Sequence, residues 1–124
     1  MEDFDWVRAR AKCSSVEVFE RLRLQVKADI EVRNKLLADQ RGAFSMVEPE
    51  NKPSFSVILC SNPLLGITFN LVEEKITVDH KGHPLFESTL TLCDDGQCRV
   101  KIKEQERELW QMRRMALEEL FFGC

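Results

Sequence analysis

Two histidines and an aspartate stand close together in the middle of the chain, and their side chains could bind a metal or move protons. His80 and His83 flank Lys81-Gly82, and Asp79 precedes them. A catalytic or structural metal site takes three or four protein ligands, and the chain contains two histidines in all. We therefore predict a turn without a metal. An enzyme or a metal site around His80 and His83 is the third of our functional hypotheses.

Sulfur chemistry is the second possibility that the sequence offers. The five cysteines are an odd number at unrelated spacings, with no Cys-x-x-Cys pair: Cys13, Cys60, Cys93, Cys98 and Cys124. This pattern predicts neither a disulfide framework nor a zinc site, so we expect reduced thiols. Their places in the pattern predict that Cys60 and Cys98 are buried and that Cys93 and Cys124 are exposed. A nucleophilic Cys93 would need a base beside it, and no histidine is adjacent in sequence. We assign no catalytic residue and no cofactor.

Charge and hydropathy exclude two classes of partner. The formal net charge is −3, and no segment is basic enough to neutralise a phosphate backbone, so we expect no nucleic-acid partner. No window of 18 apolar residues exists, and the chain opens Met-Glu-Asp-Phe-Asp, unlike a signal peptide. We therefore expect no membrane partner and a cytoplasmic protein. A hydrophobic fraction of 44% over 124 residues predicts one globular domain, residues 1–124.

The N-terminal third, residues 3–40, is predicted to be helical. Asp3 can cap a short helix from Phe4 to Lys12, and Ser14 with Glu17 has the spacing of a capping box. Residues 16–32 also place apolar side chains on even positions, as a strand would. We favour a helix because the same stretch carries a helical stripe, lacks Gly and Pro, and is longer than ordinary strands. We expect its end near Gln40.

Residues 43–102 alternate apolar and polar residues between turn signals, which predicts an antiparallel β-meander of five or six strands. Pairing Phe69 with Val78 keeps both apolar rows on one face. At the last turn, a three-residue loop with Gly96 in the left-handed position aligns Leu92 with Cys98. In that register Cys93 and Cys98 point to opposite faces and remain unbonded to each other.

Residues 103–122 are predicted to form a C-terminal helix that ends at Gly123. The complete chain is therefore an α+β domain: an N-terminal helix, the meander and a C-terminal helix, with both long helices packed on one face of the sheet. This element order is similar to that of frataxin-like domains. The resemblance implies only a fold, because residues 15–41 are near neutral and do not match the acidic ridge with which those proteins bind iron.

Two surfaces of this architecture could carry function. A pocket between helices and sheet would be lined by aromatic side chains: Phe55, Phe69, Phe86, Trp110 and Phe121. The outer face of the sheet would be polar and nearly uncharged: Ile58, Thr68, Asn70, Val72, Thr77, Thr89 and Thr91. Our leading hypothesis is a non-enzymatic protein-interaction domain that self-associates through this face or a strand edge. The alternative is a carrier of a small apolar ligand in the pocket.

Overall fold

The computed structural model describes residues 3–38 and 42–123 of the chain. The elements in chain order are α1 (Trp6–Lys12), α2 (Ser15–Leu36), β1 (Phe44–Val47), β2 (Ser54–Leu59), β3 (Asn62–Val72), β4 (Lys75–His80), β5 (His83–Leu92), β6 (Cys98–Ile102), β7 (Gln105–Arg107) and α3 (Leu109–Phe122). The strands form one antiparallel sheet in the order β1 to β7. The α+β class and the element order are confirmed, and the sheet has seven strands rather than five or six.

The predicted helical segment is two helices with a break at Cys13 and Ser14. Asp5 caps α1 in place of the predicted Asp3, and the Ser14 hydroxyl accepts the Glu17 backbone N–H at 3.3 Å to cap α2. The helical interpretation of residues 16–32 is therefore confirmed. The last helical residue is number 36, and the end that we expected near Gln40 lies outside the described residues.

The registers predicted from the apolar rows are confirmed at the β3–β4 and β5–β6 hairpins. Phe69 lies opposite Val78 in the β3–β4 pair, and Leu92 lies opposite Cys98 in the β5–β6 pair. Gly96 has a φ of +85°, the left-handed conformation that the three-residue loop requires. A one-residue slip would have moved each apolar row to the solvent face, so core burial selects these registers.

The predicted start of the C-terminal helix is wrong. Lys103 and Glu104 have φ values of 51° and 69° and form a two-residue hairpin turn, after which β7 pairs with β6. The meander therefore continues to residue 107, and α3 begins at Leu109 with Glu108 as its cap. Turns with two positive φ values usually contain Asn or Gly, so two charged residues here gave no turn signal.

The two long helices lie on one face of the sheet, as predicted. Their buried residues form a single core with the inward rows of the strands: Val18, Phe19, Leu22, Val26 and Ile30 of α2, Met112, Ala116, Leu117 and Phe121 of α3, and Phe55, Val57, Phe69, Ile76, Val78, Val100 and Ile102 of the sheet. Burying a side chain of this size contributes about 1.5–3 kcal/mol. This shared core fixes the positions of the helices relative to the sheet.

The expectation of reduced cysteines is wrong for one pair. Cys13 and Cys98 form a disulfide across a sequence separation of 85 residues. Of the thiols in the described parts of the chain, Cys93 is free and partly buried rather than exposed, and Cys60 is free and exposed rather than buried. The bonded Cys98 is partly rather than fully buried. Cys60 is exposed because it lies in the β2–β3 turn. Cys124 lies outside the described residues. The spacing of the cysteines in the sequence could not predict this bond, because the two residues are 85 positions apart and only the fold brings their sulfurs together.

Arg33 joins the C-terminal ends of the two long helices. Its guanidinium is buried, donates to the Phe121 carbonyl at 2.7 Å and to the Leu37 carbonyl at 3.3 Å, and lies 5.0 Å from the centre of the Phe44 ring. The last carbonyls of a helix have no partner within it, and a cation there also suits the helix dipole. One side chain therefore caps both helices.

We expect Arg33→Met to lower the free energy of unfolding by about 3 kcal/mol, because two carbonyls lose a charged donor inside the protein. Urea denaturation of the purified variant measures the change. Arg21→Met is the control, since Arg21 is exposed on the same helix and should change stability by less than about 0.5 kcal/mol. Equal effects of the two variants would contradict the capping role.

Candidate functional site

An open apolar groove of about 420 Å³ runs between α2 and α3, on the side of the helices away from the sheet core. Both helices contribute residues at spacings of three and four, which is the spacing of one helix face. The lining residues are Asp29, Val32, Arg33, Leu36 and Leu37 from α2, and Trp110, Arg113, Arg114, Leu117, Glu118, Phe121 and Phe122 from α3.

Large apolar side chains remain exposed in the groove. Trp110 is 53% exposed, Phe122 64% and Leu36 74%, and Val32 lies between them on α2 at 55%. These four side chains form an exposed apolar row along the groove. Large apolar side chains that share one groove mark a candidate contact surface.

The rim of the groove carries paired charges of both signs. The Arg113 guanidinium lies 2.6 Å from the Asp29 carboxylate and donates to Gln25 at 2.8 Å, so it links α3 to α2. Arg114 and Glu118 form a second pair at 2.8 Å along α3. The Arg113 contacts link the two walls of the groove, and each pair on the rim combines a cation with an anion.

The sequence contained a partial signal for this groove. The apolar residues on even positions, which made residues 16–32 look like a strand, include Val16, Leu24 and Val32. The helix leaves all three more than half exposed. Val32 lines the groove, whereas Val16 and Leu24 lie outside it. No sequence signal distinguished Phe122 and Leu36 from core residues.

The structure distributes the predicted pocket residues over two places. Phe55 and Phe69 are completely buried, and their rings stack with centroids 4.8 Å apart, so they fill the space between them. Phe86 is partly buried against the core from β5. Trp110 and Phe121 line the groove between the helices. The five residues therefore do not meet in one cavity.

The residues predicted for the outer face alternate with buried ones, which places them on the side of the sheet away from the helices. Several are joined by hydrogen bonds: the Ser54 hydroxyl donates to Asn70 at 2.8 Å, and the Ser56 and Thr68 hydroxyls lie 2.8 Å apart. Val72 and Thr89 are exposed, whereas Ile58, Thr68, Asn70, Thr77 and Thr91 are partly buried. Two of the predicted residues, Thr68 and Asn70, thus already have partners within the sheet.

The two edges of the sheet offer little backbone for pairing. β1 has four residues and β7 three. On β1 the Asn34 side chain donates to the Phe44 carbonyl and accepts its N–H, both at 2.9 Å, so α2 already occupies that part of the edge. Short and covered edges oppose the addition of another strand.

His80 and His83 lie opposite each other across the two-residue β4–β5 turn. His83 is exposed and His80 partly buried, while the Asp79 carboxylate accepts from the Asn70 amide at 3.2 Å and is engaged elsewhere. Over residues 3–38 and 42–123, no group of three or more His, Cys, Asp or Glu side chains is arranged to hold a metal.

A separate ion-pair cluster ties the β5–β6 turn to the start of α3. Arg99 lies 2.7 Å from both the Asp95 and the Glu108 carboxylates. Its hydrogen bonds lower the pKa of the Asp95 carboxyl below the usual range. Asp95 and Glu108 occupy structural positions, the turn and the helix cap, so the cluster is explained by the fold.

Comparison of the chain with protein-family models, with curated proteins and with solved structures gives no match. Among the helices that the structure describes, none is long and apolar enough to cross a membrane. The groove between α2 and α3 is the strongest candidate site because its large apolar side chains are exposed side by side.

Proposed function

We propose that this chain is a non-enzymatic protein-interaction domain that pairs with a second copy of itself through the α2–α3 groove. The observation that carries the proposal is the exposed apolar row of Trp110, Phe122, Leu36 and Val32 between two charge-paired helices. Self-association was our leading hypothesis from the sequence. The proposal moves it from the sheet to the helical side.

The composition of the groove fits this role. The centre of a stable interface is rich in apolar and aromatic side chains, and its rim is polar. Trp110, Phe122, Leu36 and Val32 would form such a centre, and the ion pairs of the two helices would form the rim. On the outer face of the sheet, by contrast, Ser54 is bonded to Asn70 and Ser56 to Thr68.

The charges favour a second copy over a charged partner. Three arginines and two acids line the groove. Arg33 is buried against the Phe121 and Leu37 carbonyls, and the more exposed Arg113 and Arg114 pair with Asp29 and Glu118. A two-fold axis brings each residue of one copy against the same set of the other, so a surface with both signs is complementary to itself. Within one copy α2 and α3 run in the same direction, because Asp29 contacts Arg113 and Arg33 contacts Phe121. Two copies would then form a four-helix layer.

We expect the wild-type protein to form a dimer at tens of micromolar, and Trp110→Glu to raise the dimer dissociation constant by about 100-fold, because a carboxylate replaces an apolar anchor at the interface centre. Sedimentation velocity across a concentration series measures both constants. Trp6→Glu is the matched control, since Trp6 is 63% exposed on α1, outside the groove.

A third variant distinguishes the helical groove from the sheet. Val72→Glu places the same charge on the outer face, at a side chain that is 52% exposed. We expect it to leave the dimer unchanged. A dimer that Val72→Glu disrupts and Trp110→Glu does not would move the interface to the sheet face, and a wild-type protein that is monomeric at 100 μM would contradict self-association altogether.

The cytoplasm remains the compartment that we propose. Cys60 is an exposed free thiol and Cys93 is free, and unpaired thiols of this kind tend to pair between molecules under oxidising conditions. A reducing compartment suits them. Stable disulfides are rare there, so in this compartment the Cys13–Cys98 bond would be a reversible one.

A further inference from the structure

The N-terminal helix α1 has little to hold it in place. None of the side chains of residues 6–12 is buried, and the aromatic rings of Phe4 and Trp6 are 59% and 63% exposed. A helix of seven residues is far shorter than the length at which isolated helices become stable in water. Its position must therefore depend on attachments at its ends.

Both attachments are made to the β5–β6 hairpin. At the C-terminal end of α1, Cys13 is bonded to Cys98, the first residue of β6. Before the N-terminal end, the Phe4 ring lies over the turn, so close to Gly96 that a Cβ on that glycine would be 2.8 Å from the ring. The disulfide is the covalent one of these two contacts.

We propose that the Cys13–Cys98 disulfide is a reversible latch, whose reduction releases α1 from the β5–β6 hairpin while the rest of the domain stays folded. The core that joins α2, α3 and the sheet contains no residue of α1, so the helix can leave without opening it. Arg10 and Cys13 form one wall of an adjoining cleft of about 580 Å³, and Leu90 and Leu92 form part of another. Release of α1 withdraws Arg10 from this wall and widens the opening above the two leucines, while Ser14 and Ser15 remain at the start of α2.

The chemistry needs a dithiol reductant, which we name as the co-reactant. Its thiolate attacks the Cys98 sulfur, because Cys98 is partly exposed whereas Cys13 is 3% exposed. The Cys13–Cys98 bond breaks, and Cys13 leaves as a thiolate that takes up a proton. The second thiol of the reductant then attacks the reductant's own sulfur in the mixed disulfide, and Cys98 leaves as a thiolate that also takes up a proton. Two electrons pass to the protein, and the reductant becomes a disulfide.

The two free thiols in the described residues are not placed to exchange with the bridge. Cys93 follows Leu92, which lies opposite Cys98, so the Cys93 side chain points to the other face of the sheet. Cys60 lies in the β2–β3 turn, away from the β5–β6 hairpin. The latch also shares no residue with the helical groove, so it does not depend on the proposed self-association.

Limited trypsin digestion of the native protein, with and without dithiothreitol, tests the latch. We expect reduction to speed cleavage after Arg8, Arg10 and Lys12 at least ten-fold and to leave the remainder of the chain resistant. In a Trp110→Phe background, in which Trp6 is the single tryptophan, we expect its fluorescence anisotropy to fall on reduction. Cys60→Ser is the matched control and should respond to dithiothreitol as the wild type does.

The double variant Cys13→Ser/Cys98→Ser should be cleaved rapidly in α1 whether or not reductant is present. Equal cleavage rates for the oxidised and reduced wild type would overturn the proposal. So would cleavage that spreads through α2 and the sheet on reduction, because the bond would then hold the whole fold together. If the double variant does not fold, the reduced wild type supplies the same comparison. Alkylation of both Cys13 and Cys98 in the native, unreduced protein would refute the bridge itself.

Discussion

Truncation of Phe69 to alanine is expected to lower the free energy of unfolding by about 4 kcal/mol. Phe69 is completely buried at the centre of the sheet, lies opposite Val78, and stacks on Phe55 with an angle of 18° between the ring planes. Its loss removes both the transfer free energy of the ring and the packing of its neighbours, because interiors are close-packed and relax only in part. Urea denaturation with a two-state fit measures the change.

The same variant tests the carrier hypothesis. If Phe69 lined a ligand pocket, its truncation would enlarge a space that already exists and would change stability by less than about 1.5 kcal/mol. Phe122→Ala is the matched control, because it makes the same substitution at a side chain that is 64% exposed. We expect it to weaken the dimer and to alter the stability of the monomer by less than about 1 kcal/mol. Similar losses of unfolding free energy for the two variants would contradict the assignment of Phe69 to the core and of Phe122 to the exposed groove.

Loss of the Cys13–Cys98 bond is expected to lower the free energy of unfolding by about 4 kcal/mol. The bond closes a loop of 85 residues, and closing a loop of this length removes much of the conformational entropy of the unfolded chain. For a domain of this size the midpoint of thermal unfolding should fall by roughly 15 °C. Differential scanning calorimetry of the wild type before and after reduction measures it.

The expected loss is smaller than the full stability of an ordinary domain, about 5–15 kcal/mol. The reduced protein should therefore remain folded at room temperature, as the latch requires. Cys60→Ser should unfold at the wild-type temperature, because Cys60 is free and exposed. A midpoint that reduction leaves within about 3 °C of the oxidised value would contradict the expected stabilisation.

Local pattern was sufficient for much of the fold. The alternating rows of the meander determined which faces pair, because one row must be buried, and the Phe69–Val78 and Leu92–Cys98 registers follow from that requirement. The Ser14 cap likewise predicted the start of α2. The seventh strand could not be predicted, because Lys103 and Glu104 adopt positive φ values without a turn residue.

The candidate site was harder to predict from the sequence than the fold. Apolar residues at helical spacing are compatible with a core and with an exposed groove, and the sequence does not say which row of a helix faces the sheet. Trp110 was therefore assigned to a pocket against the sheet, whereas the structure places it in the groove. Packing of α2 beside α3 decides which apolar row remains exposed.

The features that the structure adds to the sequence join distant parts of the chain. The sequence by itself determined the α+β class, the element order and the strand registers, because these depend on neighbours and on period. Only the tertiary structure decided that Arg33 reaches Phe121, 88 residues away, that Cys13 meets Cys98, and that two helices leave an apolar groove. Such contacts depend on how completed elements pack, and no local spacing encodes them.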